Sequence, residues 1–403
     1  MRLLDGLVSS FIVKGKLRVY DVSGNLHEYG SSRDGPSVTL RLHEKSLYRK
    51  LFLIPELAVA EAYMDGTLTF EDGSEIYDLL NLFSINRKPV GGGSLQRFVR
   101  QKWRAMRLRH DQNDVDDAKL NARSHYDLST ELYRLFLDPG MNYSCAYFHS
   151  PDDDLETAQN AKLKHAISKL RLELDTRVLE IGGGWGAFAI QMARAGASVT
   201  SLNVSTEQIS NAKQAAAEAG VGDKIEFILK DYREFEGNFD RVVSVGMMEH
   251  VGVRNYDLFF GKLRDLLTPG GYAFIHSIGR MSPPGTTGPF IRKYIFPGAY
   301  SPALSEVFSA TERSGLWVAD MEVLRLHYHY TIKHWRRQFM ENREKAVALY
   351  DERFCRMWEF YLSAVELEFK HGSGIVFQLL LSSARDSIPI TRDFMFEAER
   401  KAS

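Results

Sequence analysis

"RVLEIGGGWGAFAIQMARAGASVTSLNV", residues 177–204, carries the fold. A run of strand type, "RVLEIGG", stops at Gly182, Gly184 and Gly186 and passes directly into the helical pattern "GAFAIQMARAG". Glycines at that junction let the chain turn tightly and let a ligand approach the backbone. Their spacing is G-x-G-x-G, not the G-x-G-x-x-G of a dinucleotide fingerprint. The helix behind them offers free N–H groups, but pyrophosphate need not be what they meet.

The alternation continues outward. "SVTSLNV" is a strand and "STEQISNAKQAAAEAG" a helix; "KIEFILKD" and "FDRVVSVG" are strands. "NYDLFFGKLRDLL" is a helix stopped by Thr268-Pro269-Gly270-Gly271, and "YAFIHSIG" is a strand. Strand–helix alternation over residues 176–280 predicts a mostly parallel, Rossmann-like α/β sheet covered on both faces. Asn203 ends the second strand, where a polar group can reach a ribose. Ser205 and Gln208 form a capping-box pair at the next helix, and capping alone would account for them. Asp231 ends the third strand, where a carboxylate can accept from an exocyclic amine; otherwise it is a solvated loop residue. Open α/β sheets bind ligands at these strand ends. The set points to S-adenosylmethionine more than to NAD. At the fourth strand end, "GMMEHVG" (246–252) places Glu249 and His250 behind two methionines.

The 403 residues allow two or three domains, and 44% hydrophobic with 26% charged residues fits globular domains. A formal net charge of -1 argues against a general nucleic-acid binder. Two cysteines, Cys145 and Cys355, make no disulfide framework, so a cytoplasmic location is expected. No run approaches a membrane span of roughly 20 apolar residues, and the start lacks a secretory pattern. Residues 1–85 read as an α+β accessory domain: a hairpin at "KLRVYDVSGNLHEYG", a strand and helix, then a helix closed at Gly66, a short hairpin and a further helix. Residues 86–119 read as a basic linker. From Asn86 to His110 there are eight Lys or Arg and no Asp or Glu. "LQRFVRQKWRAMRLRH" there is either an amphipathic helix resting on anionic lipid or a linker helix with a solvated arginine face. Residues 120–403 form the third segment, a catalytic domain.

Several ordered stretches resemble the cyclopropane-fatty-acyl-phospholipid synthases and the related mycolic acid cyclopropane synthases. They are "HYDLSTELYRLFLDPGMNYSCAYF" (125–148), "VLEIGGGWG" (178–186), "LKDYREF" (229–235), "MMEHVG" (247–252), "FIHSIG" (274–279), "YIFPGAYSPALSE" (294–306) and "HYHYTIKHW" (327–335). The resemblance implies a class I S-adenosylmethionine-dependent methyltransferase fold with covering helices, those at 332–385 lying over an acyl pocket. It implies transfer of a methylene from S-adenosylmethionine to the cis double bond of an unsaturated phospholipid acyl chain, with bound bicarbonate as base. By position it assigns Glu249, His276, Tyr328 and the Cys145 backbone to bicarbonate. It assigns Tyr143, Ser144, Gly182, Gly184, Gly186, Asn203, Gln208, Asp231 and Tyr232 to the cofactor. A homodimer and peripheral contact with a membrane are further implications.

An alkene is a weak nucleophile and a sulfonium methyl a strong electrophile, so alignment is the main requirement. Attack leaves a cation that water must not reach. Phe148, Tyr294, Phe296, Tyr328 and Tyr330 could stabilise it. Ring closure needs a base: Glu249 itself, or bicarbonate held by Glu249, His276 and Tyr328. A sister reaction, C-methylation without ring closure, uses the same cation. Without the motifs, His276 would read as a satisfied core histidine and Tyr328 as a packed aromatic. No close ligand spacing supports a metal site. Many relatives have Cys where Gly183 stands, and Cys where Val365 stands; valine cannot serve as a nucleophile.

Overall fold

A computed structural model describes residues 2–30, 34–87 and 128–402. Most of the basic linker therefore lies outside the described residues. The chain divides into two compact units.

The first unit contains the described residues through Arg87 together with Thr287–Pro297 and Ile332–Ser373. Its sheet has the order β2-β1-β3-β4: β1 (Lys16–Tyr20) pairs antiparallel with β2 (Leu26–Tyr29), as the hairpin reading expects, and parallel with β3 (Ser37–Leu42). Where a second hairpin is expected, a single strand β4 (Leu68–Glu71) pairs back onto β3. "LTFE" is one short alternating run, and its partner surface comes from distant sequence. Helix Glu352–His371 packs here, and its carboxylates are satisfied. Tyr63 donates to Glu359 at 2.8 Å, Tyr77 to Glu366 at 2.9 Å, and Arg336 to Glu366 at 2.7 Å. The unit thus recruits two segments that a contiguous reading of 120–403 assigns elsewhere.

The second unit is built on seven strands in the order β10-β11-β9-β8-β5-β6-β7. These are β5 (Arg177–Ile181), β6 (Ser198–Asn203), β7 (Ile225–Leu229), β8 (Phe239–Val245), β9 (Leu267–Arg280), β10 (Trp317–Leu324) and β11 (Gly374–Ser382). Neighbours from β7 through β9 run parallel. β11 runs antiparallel to both β9 and β10. The sequence reading extended helices to residue 385, but 374–382 is a buried strand. "GIVFQLLLS" is an apolar run rich in strand formers, and a run that short fits a doubly covered strand better than a helix. Leu179, Val242, Ala273 and Phe377 lie in the packed layer on one face; Val178, Val243, Phe274 and Leu380 lie on the other. That two-sided burial explains why these strands read as unbroken hydrophobic runs.

Strand order reverses between β5 and β8. The chain steps from β5 to β6 and β7 on one side, then returns to lay β8 and β9 on the other. The crevice outside such a switch point is where open α/β sheets take ligands. Among the described residues, no helix is long and apolar enough to cross a membrane.

Candidate active site

The glycine turn leaves β5 with Gly182, Gly184 and Gly186 at φ of +86°, +52° and +89°. L side chains rarely adopt that region. Gly182 and Gly183 N–H both donate to the Leu202 carbonyl, which ties the turn to β6. Gly183 has ordinary φ but no room. A methyl there would collide with Ser201 Oγ and lie 2.7 Å from Glu180 Oε2. Those two groups are bonded to each other at 2.6 Å. Burial pushes the Glu180 carboxyl up to about 7, against the Ser201 hydrogen bond and the Lys162 charge. The glycine at 183 therefore has a local cause in this chain.

Asn203 completes this cradle. Its Nδ2 donates to Gly184 O at 3.1 Å and to Gln208 Oε1 at 3.0 Å, while Oδ1 accepts from Val204 and Ser205 N–H. Ser205 caps helix Thr206–Glu218 by accepting from Gln208 N–H. Gln208 thus has its amide oxygen on Asn203, a bracing role that the capping pattern did not reveal. Asp231 is buried, and its two oxygens take Arg233 Nε and Nη2 at 2.9 and 2.6 Å. Asp231 Oδ1 also accepts from Arg233 N–H at 2.9 Å. Tyr232 is buried edge-on against Phe259, and that burial raises its phenol well above the usual range.

Tyr143, Ser144 and Cys145 lie on a loop fastened by helix Leu155–Leu170. Gln159 Nε2 donates to the carbonyls of Asn142 and Ser144, at 3.2 and 2.9 Å. Lys162 Nζ reaches Asn142 Oδ1 at 3.0 Å and Ser144 Oγ at 3.1 Å. Lys162 is only 3% exposed, and burial lowers its ammonium to about 8. Tyr143 stands edge-on to Tyr133. Cys145 is buried, its thiol pushed up by desolvation, so the sulfur is no nucleophile. The loop continues to Ala146 and Phe148, whose N–H groups donate to Thr331 Oγ1 and His327 Nδ1 at 3.0 and 2.9 Å. Buried Tyr328 belongs to that same turn, so the Cys145 loop and Tyr328 are held together. Phe148 and Tyr330 rings pack at 5.6 Å. Tyr294 and Phe296 lie in the first unit, where Tyr294 donates to Glu61 and Phe296 stands edge-on to Tyr361.

Glu249 sits in the short helix Met248–Val251 that follows β8, and His276 lies on β9, paired with Val245. Both are buried. Glu249 Oε1 accepts from Ile278 N–H at 2.6 Å, two residues beyond His276. Its Oε2 is buried with no hydrogen-bond partner. Burial raises this carboxyl to about 7, with the Ile278 bond opposing. His276 Nδ1 meets Gln378 Nε2 at 3.3 Å, while Nε2 is buried and without a partner. Burial, then the charges of Lys162 and Lys169, lower the imidazole to about 3, so it is neutral. Buried polar atoms are ordinarily paired. One acceptor and one ring nitrogen lacking partners, the first just past β8 and the second on β9 opposite the end of β8, suit a small polar occupant. His250, adjacent in sequence, is lowered to about 4 by desolvation alone.

Sequence reasoning did not find Gln159, Lys162, Lys169 or Gln378. Three of these lie in "LETAQNAKLKHAISKL" (155–170), whose polar residues at helical spacing look like a solvated face. Gln378 left a usable signal, a lone amide inside an apolar strand.

Residues 113–379 match the family described as mycolic acid cyclopropane synthetase. A probable fatty acid methyltransferase of Pseudomonas putida is 38% identical over 94% of this chain and 96% of its own length. The cyclopropane-fatty-acyl-phospholipid synthase of Escherichia coli K12 is 32% identical over 85% of this chain and 87% of its own. A solved mycolic acid cyclopropane synthase, complexed with SAH and CTAB, superposes with a TM-score of 0.62. It has 30% identity and covers 66% of this chain and 98% of its own.

Proposed function

This chain belongs to the mycolic acid cyclopropane synthetase family and is an S-adenosylmethionine-dependent methyltransferase acting on lipid, and we propose that it builds cyclopropane rings on unsaturated phospholipid acyl chains with bicarbonate as base. One observation carries the reading: the unpartnered, buried Glu249 Oε2, just past β8, and His276 Nε2, on β9 opposite the last residue of β8. Bicarbonate has both an O–H and acceptor oxygens, so it fits that pair, with Tyr328 and the Cys145 backbone as its further partners.

S-adenosylmethionine supplies the methyl group. The glycine turn, Asn203, Asp231, Tyr232 and the Tyr143–Ser144 loop hold and orient it. Bicarbonate supplies a base for the proton released on ring closure. Glu249 lies beside that base, and with its carboxyl near 7 it can share a proton with a neighbouring anion instead of repelling it. Neutral His276 adds a hydrogen bond without adding charge. Phe148, Tyr328 and Tyr330 offer aromatic faces to an acyl cation and keep water away. The homodimer and the contact of the first unit with a membrane belong to the same proposal, and sedimentation velocity and vesicle flotation test them.

The Pseudomonas relative's name favours a second reading, acyl C-methylation without a ring. There the same cation loses a proton from a chain carbon and leaves a methyl branch beside a double bond, or, after a 1,2-hydride shift to the other carbon, loses one from the added methyl and leaves a methylene branch. Purified protein with unsaturated phospholipid vesicles and S-adenosylmethionine should add the mass of one CH₂ to acyl chains. Upfield ring-methylene signals in the proton NMR spectrum of the product establish the cyclopropane. Olefinic methylene or branch-methyl signals without ring signals establish the branch instead, and unchanged lipid overturns both.

A further inference from the structure

β11 lies antiparallel between β9 and β10, and its register aligns three polar residues in one row. Glu322 on β10 pairs with Gln378, and Gln378 pairs with His276. Lys169, from helix Leu155–Leu170, reaches the row with Nζ 2.5 Å from Glu322 Oε2 and 2.5 Å from Gln378 Oε1. Lys169 is 3% exposed and Gln378 1%. Glu322 also meets His165 Nε2 at 2.7 Å. Burial works against the Glu322 carboxylate, but the His165 bond and the Lys169 charge hold its carboxyl down at about 2. It is a firm anionic anchor for Lys169.

The row has a direction. An ammonium only donates, so the Gln378 oxygen must face Lys169. The Gln378 NH₂ then faces His276 and donates to Nδ1 at 3.3 Å. The flipped amide would set NH₂ against the ammonium, donor against donor. An Nδ1 that accepts leaves the single proton of a neutral imidazole on Nε2. That nitrogen is the buried atom for which the protein supplies no partner.

We propose that Lys169 and Gln378 are positioning residues that lock His276 in the Nε2–H tautomer, so that the site presents an uncharged donor to an oxygen of an anion beside Glu249. The functional consequence rests on the cyclopropane-forming reading above; the tautomer itself does not. Glu249 on one side accepts and His276 on the other donates, which suits an oxyanion carrying its own O–H. A charged histidine would instead form an ion pair with the base and weaken it.

The test uses the full chain labelled with ¹⁵N-histidine and multiple-bond ¹H–¹⁵N correlation spectra, with His276 assigned by its loss in His276→Asn. The expected result is the Nε2–H tautomer in the native protein near neutral pH. Gln378→Glu places a carboxylate against Nδ1 and should reverse the tautomer. Lys169→Met removes the constraint on the amide and should give a mixture. With vesicles and S-adenosylmethionine, kcat should fall by about 10- to 100-fold in Gln378→Glu while KM for S-adenosylmethionine holds. A native Nδ1–H tautomer overturns the inference, as does a reversed tautomer with unchanged kcat. If Gln378→Glu does not fold, the native spectrum and Lys169→Met decide the matter. If the native protein modifies no lipid, the functional reading fails while the spectra still judge the tautomer.

Discussion

Two strand-end clusters of the second unit use polar groups in opposite ways. At β5 and β6 the hydrogen bonds close on themselves: Asn203 joins Gly184 to Gln208 and caps its own turn. At β8 and β9 each side chain spends half its capacity on the protein. Glu249 keeps Oε2 and His276 keeps Nε2. The first cluster is a backbone shape, finished before a ligand arrives. The second is a set of unmet hydrogen bonds that the proposed occupant would complete. Shape suits a large cofactor recognised along its length; unmet bonds suit a small ion recognised at a point.

The largest break in this contrast comes from Glu249→Gln. The amide keeps an oxygen for Ile278 N–H but loses the charge, and turnover should fall by about 100-fold or more. Stability should move the other way. The folded carboxyl sits at about 7, above its ordinary 4.5. Protonation therefore favours the folded state, fully below about pH 4.5, with the benefit lost as pH rises through about 7. Urea denaturation across that window should show the variant gaining on the native protein by on the order of 3 kcal/mol at the alkaline end. A constant difference would mean that Glu249 does not titrate there.

Gly183→Ala attacks the finished cluster. It separates Ser201 from Glu180, and urea denaturation should register a loss of about 1–3 kcal/mol. Asn203→Ala frees the Gly184 carbonyl and should weaken S-adenosylmethionine binding by about tenfold in calorimetry, close to one hydrogen bond. Ser205→Ala removes only the cap, at about 1 kcal/mol in thermal unfolding. Its cofactor affinity should match the native protein's, and a large loss there would show that the cap and the cradle act as one piece.

Much of this was legible beforehand. The parallel strands announced themselves as apolar runs because both faces are covered, and the glycine turn because only glycine tolerates its φ values. Glu249 and His276 were singled out through the motifs that carry the family resemblance. Lys162 and Lys169 were not, because a helix with polar residues every three or four positions, here Gln159, Lys162, His165 and Lys169, ordinarily faces water. Here that face is buried, and the charges are satisfied by Asn142, Ser144, Glu322 and Gln378. Helices could be read across 352–371, but not their place in the first unit, since a helical period says nothing about which distant surface it meets.

The sequence by itself determined the strand–helix alternation and the glycine turn. Those features follow from side-chain period and backbone freedom, which are local. Only the tertiary structure decided that β11 enters antiparallel beside β9, in the register that sets Gln378 against His276. A slip of one residue would turn Gln378 to the other face. Strand register is fixed by the burial of many side chains at once, and no local stretch contains that information.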